Sequence, residues 1–174
     1  MRLANNTYIY TYQTMKHLAW LFAFLLWWGT ASAQVAGEKV TTFSLPTAEG
    51  KVISLDAFLT GKKLVLIDFW ASWCGPCRKE AKNVKAIYQD YQSKGFDVIG
   101  VSLDTKREAW VKAYTDDGMA WTQVSDLQGW KSPVVKQYGI QGVPYLLVVD
   151  GEGTLLAVNV RGDELRELVS RNLK

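Results

Sequence analysis

The chain has 174 residues, room for one domain and an appendage, and its formal charge of +3 is unevenly spread. Residues 1–33 carry Arg2 and Lys16 and no acid, so residues 34–174 hold 18 Lys+Arg against 17 Asp+Glu. That near-neutral body gives no electrostatic footprint for nucleic acid, whatever the sequence pI of 8.8 suggests. The single histidine, His17, lies in the leading stretch too, which excludes Ser-His-Asp chemistry, Cys-His chemistry and histidine metal sites from the body.

Residues 18–28 (LAWLFAFLLWW) form an apolar run of 11 between Lys16 and the small residues 29–33. A membrane-spanning helix needs about 20 apolar residues and a signal-peptide core roughly 7 to 15. Residues 1–33 therefore read as a signal peptide cut after Ala33 at an A-x-A pattern, with Met15 an alternative start. A buried core helix and an uncleaved membrane anchor are the competing readings. Cleavage would release an exported, periplasmic or otherwise extracytoplasmic protein; retention of the leader would make it membrane-anchored. Either compartment permits disulfide chemistry.

Residues 34–174 contain no repeat, low-complexity tract or second apolar span and read as one domain. Residues 42–55 suggest two short extended pieces around a turn at Ala48-Glu49-Gly50, followed by a turn capped by Asp56. Residues 64–70 (LVLIDFW) have the continuous apolar character of a strand buried on both faces, with Asp68 out of place in it. From Cys77 the residues Ala81, Val84, Ile87 or Tyr88, and Tyr91 recur at three and four, which predicts an amphipathic helix ending near Gly95. Residues 96–103 are the next strand, completing a βαβ unit with a right-handed crossover.

Residues 105–117 are expected to be helical, with Ala109, Trp110, Ala113 and Tyr114 on one side, and residues 118–124 to be loop and strand. A short helix over 133–138 should stop at Gly139. Residues 145–149 and 155–160 read as strands joined by the hairpin signal Asp150-Gly151-Glu152-Gly153. A last helix, 163–172, carries a stripe of Leu165, Leu168, Val169 and Leu173. The expected architecture is α/β, with a mixed sheet that is parallel first and antiparallel at the end.

The two cysteines, Cys74 and Cys77, follow a buried strand and open a helix. The first turn of a helix offers unpaired N–H groups and the positive end of the dipole, both of which favour a thiolate at Cys74. Pro76 is tolerated there because its missing N–H would be unpaired anyway. An exposed Cys74 should attack a disulfide first and Cys77 should resolve the mixed disulfide, with no metal or organic cofactor. Three other uses compete. A structural disulfide closing so short a loop would stabilise little. Zinc would lack ligands. Haem attachment would need histidine where Arg78 stands.

The run DFWASWCGPC (residues 68–77) resembles the thioredoxin active-site signature. With the leader and an extra segment at about residues 105–131, the chain is similar to the TlpA/ResA-like branch of exported thiol-disulfide oxidoreductases over residues 38–172. The resemblance implies a thioredoxin-like fold with an N-terminal hairpin and an inserted helical segment. It also implies that Val143-Pro144, within Gly142-Val143-Pro144, is a cis-proline loop facing the disulfide, with Val143 pairing to an extended substrate segment. On sequence alone Pro144 is an ordinary edge-strand or first-position proline. Asp68 matches the family's buried acid, whose raised pKa would let it take the proton of Cys77; a hydrogen-bonded strand-end acid is the alternative. Trp73, Gly75 and Pro76 are expected at the substrate surface.

Of the five tryptophans after the leader, Trp110, Trp121 and Trp130 fall in the added segment and are expected to pack it onto the sheet, a substrate-facing role for one of them being the alternative. Arg78 and Lys79 read as a solvated helix face. Together these features predict an exported reductase of protein disulfides, supplied with electrons by a membrane-embedded donor. A disulfide oxidase or isomerase is the nearest alternative, and Gly75-Pro76 argues against it. A hydroperoxide-reducing enzyme would be expected to show a different motif around a lone cysteine. A copper-binding module is disfavoured because the body has no histidine and Met119 as its one methionine. Apocytochrome thiols, stalled disulfides in exported proteins and an isomerase partner all fit as substrates.

Overall fold

The computed structural model describes residues 36–174. The expectations for residues 1–33, including cleavage after Ala33 and the start at Met15, lie outside the described residues. At the centre is a five-stranded sheet in the order β5-β4-β3-β6-β7. Its middle strand β3 (Leu64–Trp70) is buried at every position, as a run without glycine, proline or alternation should be. Strand β4 (Phe96–Ser102) lies parallel to β3, and β5 (Thr122–Val124) parallel to β4. On the other side β6 (Tyr145–Asp150) runs antiparallel to β3, and β7 (Leu155–Val158) antiparallel to β6. The mixed sheet is thus parallel in its first half and antiparallel at its end, as expected.

The N-terminal hairpin pairs β1 (Ser44–Pro46) with β2 (Val52–Ser54). Its turn needs the left-handed backbone of Gly50 at φ 85°. Helix α1 (Leu55–Leu59) begins differently from the expectation: Ser54 is the N-cap, its hydroxyl accepting from the Ala57 N–H at 3.3 Å. Asp56 sits inside the first turn and accepts from the Thr42 hydroxyl at 2.7 Å. Both residue types are good caps, and the one whose backbone is still extended takes the position.

Helix α2 (Gly75–Tyr91) buries Cys77, Ala81, Val84 and Ile87, the stripe expected at three and four. It gives way to a 3-10 turn, Gln92–Lys94, and stops at Gly95, whose φ of 103° few other residues adopt. Helix α3 (Arg107–Asp117) buries Trp110 and Ala113, with Tyr114 half-buried, but Ala109 faces solvent. Helix α4 (Pro133–Gln137) is followed by Gly139 at φ 63°. Helix α5 (Gly162–Asn172) packs beside α2 and buries Leu165 and Val169, with Leu173 buried just beyond it. In the β6–β7 turn the Asp150 carboxylate accepts from the Glu152 and Thr154 N–H groups at 2.9 and 2.8 Å. A feature beyond the sequence reading is the chain just before the hairpin. Gly37 donates to Leu155, Leu155 to Glu38 and Val40 to Gly153, so this stretch covers the edge strand β7.

Candidate active site

The site forms where β3 ends and α2 begins. Cys74 is the N-cap of α2, and the Cys77 N–H points at its sulfur at 3.2 Å. The two cysteines form a disulfide. The Val143–Pro144 peptide bond is cis, and the Val143 carbonyl oxygen lies 3.6 Å from the Cys74 sulfur. Residues far apart in sequence, Cys74, Cys77 and Val143-Pro144, are therefore together, as the resemblance implied. A groove beside them is lined by Pro76, Gly142, Val143, Pro144, Tyr145 and Arg161.

The rim is open and the floor is closed. Trp73, Gly75 and Pro76 are exposed, Val143 and Pro144 half-buried. Cys74 departs from the exposed position expected of it: in the disulfide form it is 5% accessible and Cys77 3%. Bonded to Cys77 and set against the Val143 carbonyl, its sulfur has little surface left. The N-cap place still gives Cys74 the helix N–H that a thiolate would use, while Cys77 belongs to the core-facing stripe of α2.

Asp68 occupies β3, opposite Gly100 on β4 and Leu146 on β6, and is buried. Burial raises its pKa to about 7; the nearby Glu80 carboxylate adds to the rise and the Arg161 guanidinium opposes it. Glu80 and Arg161 escaped the sequence reading. Glu80 lies on α2 three residues after Cys77, a helical neighbour, and that spacing was the available signal. It accepts from the Gly162 N–H at the start of α5 at 2.9 Å, and Arg161 donates to the Pro144 carbonyl at 2.6 Å. Arg78 also departs from the reading of a solvated face. It makes two hydrogen bonds to Asp117 at the end of α3, at 2.7 and 2.8 Å, holding that carboxyl below its usual range.

Asp104, just past β4, anchors the loop that leads into the cysteines. Its carboxylate accepts from the Ser72 N–H at 2.9 Å, the Ser72 hydroxyl at 2.5 Å and the Ser102 hydroxyl at 2.7 Å, and it is buried. Replacing Asp104 with Ala leaves these donors without their acceptor. The expected loss is about 2–4 kcal/mol of unfolding free energy in urea titrations.

The AhpC/TSA family pattern matches residues 36–158. The chain belongs to this family. Among its relatives, the thiol-disulfide oxidoreductase ResA of Bacillus thuringiensis subsp. konkukian is 29% identical over 141 residues, covering 79% of this chain and 76% of that protein. ResA of Halalkalibacterium halodurans is 30% identical, covering 77% of each. The thiol:disulfide interchange protein HelX of Rhodobacter capsulatus is 28% identical, covering 80% of this chain and 75% of its own. Among solved structures, the thioredoxin domain of a thiol-disulfide oxidoreductase from Bacteroides vulgatus superposes with a TM-score of 0.74 at 34% identity, covering 80% of this chain and 99% of that one. A thiol:disulfide interchange protein from Bacteroides sp. gives 0.74 at 34% identity, with 82% and 92% covered. The AhpC/TSA chain thus has the thioredoxin-like fold and the ResA-like kinship that residues 68–77 implied.

Proposed function

We propose that this protein is an exported reductase of protein disulfides that works by dithiol-disulfide exchange at Cys74 and Cys77. The observation that carries the reading is the Cys74–Cys77 disulfide at the N-terminus of α2, set against the cis Val143–Pro144 peptide. The named activities of ResA and HelX support it.

In the forward direction the Cys74 thiolate attacks one sulfur of a substrate disulfide, forming a mixed disulfide and releasing the first substrate thiolate. Cys77 then loses its proton to Asp68 and attacks the Cys74 sulfur. The second substrate sulfur leaves as a thiolate and takes a proton from solvent, and the enzyme holds the disulfide seen here. Two electrons pass to the substrate and none to a cofactor. Val143 and Pro144 present the substrate as an extended segment, with Trp73, Gly75 and Pro76 forming the contact surface around the sulfur.

An oxidising compartment would keep the pair oxidised, so a membrane-embedded donor would restore the dithiol. Export rests on the residues 18–33 pattern described above. Thiol-dependent reduction of insulin tests the activity. Wild type should reduce it, and Cys74→Ser should fall to the rate of the free thiol; equal rates for the two would remove the reading.

A further inference from the structure

Among the described residues the large apolar side chains most open to solvent are Val52, Trp73, Trp130 and Leu156. Two of these four are indoles that sit together. Trp73 is 58% and Trp130 45% accessible, with ring centroids 6.4 Å apart and planes tilted by 45°. Trp130 was expected to pack the added segment onto the sheet, as Trp110 and Trp121 do; instead it faces solvent beside the residue preceding Cys74. An exposed pair of indoles next to a reaction centre is the kind of surface at which proteins bind partners.

The backbone before Trp130 turns sharply through two left-handed residues. Leu127 has φ 57°, in the left-handed region unusual for a branched side chain, and Gly129 has φ 57° as well. A Cβ on Gly129 would lie 3.0 Å from the Thr105 side chain and 3.4 Å from the Leu103 carbonyl. Ser125 fastens the turn, donating to the Ser102 carbonyl at 2.8 Å and accepting from the Leu127 N–H at 3.1 Å. The same end of β4 holds Ser72, the residue before Trp73, through the Asp104 contacts to Ser72 and Ser102. The chain segments that carry the two rings are therefore anchored at one strand end.

We propose that Trp130, paired with Trp73, is a specificity-determining residue that binds an apolar side chain flanking the disulfide cysteine of an extended polypeptide substrate. This rests on the reductase reading above and names its substrate class. Two tilted indoles offer apolar faces contiguous with Trp73-Cys74, so a phenylalanine or leucine next to the substrate cysteine would rest on them as its sulfur meets Cys74. Such residues lie in the core of a native protein and become available when a polypeptide is unfolded or wrongly bridged.

The test is single-turnover reduction by pre-reduced protein of disulfide-linked peptides that differ only in the residue beside the cysteine, Phe, Ser or Arg. Wild type is expected to reduce the Phe peptide about tenfold faster than the Ser peptide, as an aromatic contact allows. Trp130→Ala should bring that ratio near one and Trp130→Phe should retain most of it, with unfolding midpoints recorded for both. A ratio near one in wild type, an undiminished ratio in Trp130→Ala, or a preference for Arg over Phe, as a cation on the rings would give, overturns the proposal.

If wild type reduces none of the peptides, the reductase reading fails, and the indole pair is judged by binding alone. The Phe peptide with serine for cysteine should then shift the Trp130 indole resonance of the oxidised protein more than its Ser counterpart. Equal shifts overturn the proposal.

Discussion

A Cys77→Ser variant is expected to stop at the mixed disulfide, with substrate covalently held by Cys74 and released by added dithiothreitol. The asymmetry follows from the place of each sulfur in α2. Cys74 is the N-cap, next to the exposed Trp73 and Gly75, with the Cys77 N–H directed at its sulfur at 3.2 Å. Cys77 lies one turn in, on the stripe with Ala81, Val84 and Ile87, where the sulfur of Cys74 itself is the one within its reach. A well-placed internal nucleophile acts at an effective concentration far above any thiol in solution, so removing it should slow turnover by at least about a thousandfold. Mass spectrometry of non-reduced samples gives the readout. Covalent complexes in Cys74→Ser and none in Cys77→Ser would reverse the assignment of attacking and resolving thiols.

Much of this arrangement is legible in the chain because it depends on local pattern. Leu64–Trp70 is apolar but for Asp68, so its burial on both faces follows from composition. The cysteines directly after it inherit the helix start. What stays hidden depends on tertiary path. Trp110, Trp121 and Trp130 lie in the same added segment and look alike in sequence, yet two enter the core and one turns outward because Leu127 and Gly129 reverse the backbone. Ala109 and Ala113 are equally small, but only Ala113, three residues from Trp110 and so on the same face of α3, is buried. Arg78 finds Asp117 across two helices, and Arg161 finds the Pro144 carbonyl across a sheet edge. Neither pair leaves a spacing signal. Glu80 did leave one, three residues from Cys77, and it gains meaning only when α5 brings Gly162 to it.

Asp68→Asn is expected to make the protein more stable and a slower enzyme, with both effects governed by pH. Buried in β3, with Glu80 nearby, the Asp68 carboxyl titrates at about 7 in the folded protein against 3.8 for the ordinary side chain. Below pH 3.8 folded and unfolded chains both carry the proton, and the acid has no pH-dependent effect. Between about 4 and 7 the unfolded chain has lost it and the folded one has kept it, so stability falls by up to about 1.4 kcal/mol per pH unit. Above 7 both are ionised and the fall levels off, leaving a total of at most about 4 kcal/mol. Asparagine keeps the shape without the proton. Urea unfolding of the two oxidised proteins should therefore agree near pH 4 and diverge in favour of Asp68→Asn up to pH 8, since subtracting the curves cancels the other titrating groups. Parallel curves would mean that the folded protein does not hold the Asp68 proton. In the mechanism proposed above the same carboxyl, once ionised, takes the proton of Cys77 as that thiol attacks, and a group that titrates near neutral pH is suited to do so. Resolution of the mixed disulfide should consequently slow about a hundredfold in Asp68→Asn and lose its inflection near pH 7. If the stability curves diverge while resolution keeps its rate and inflection, Asp68 is a tolerated buried acid and another group, with Glu80 nearest in charge, accepts the Cys77 proton.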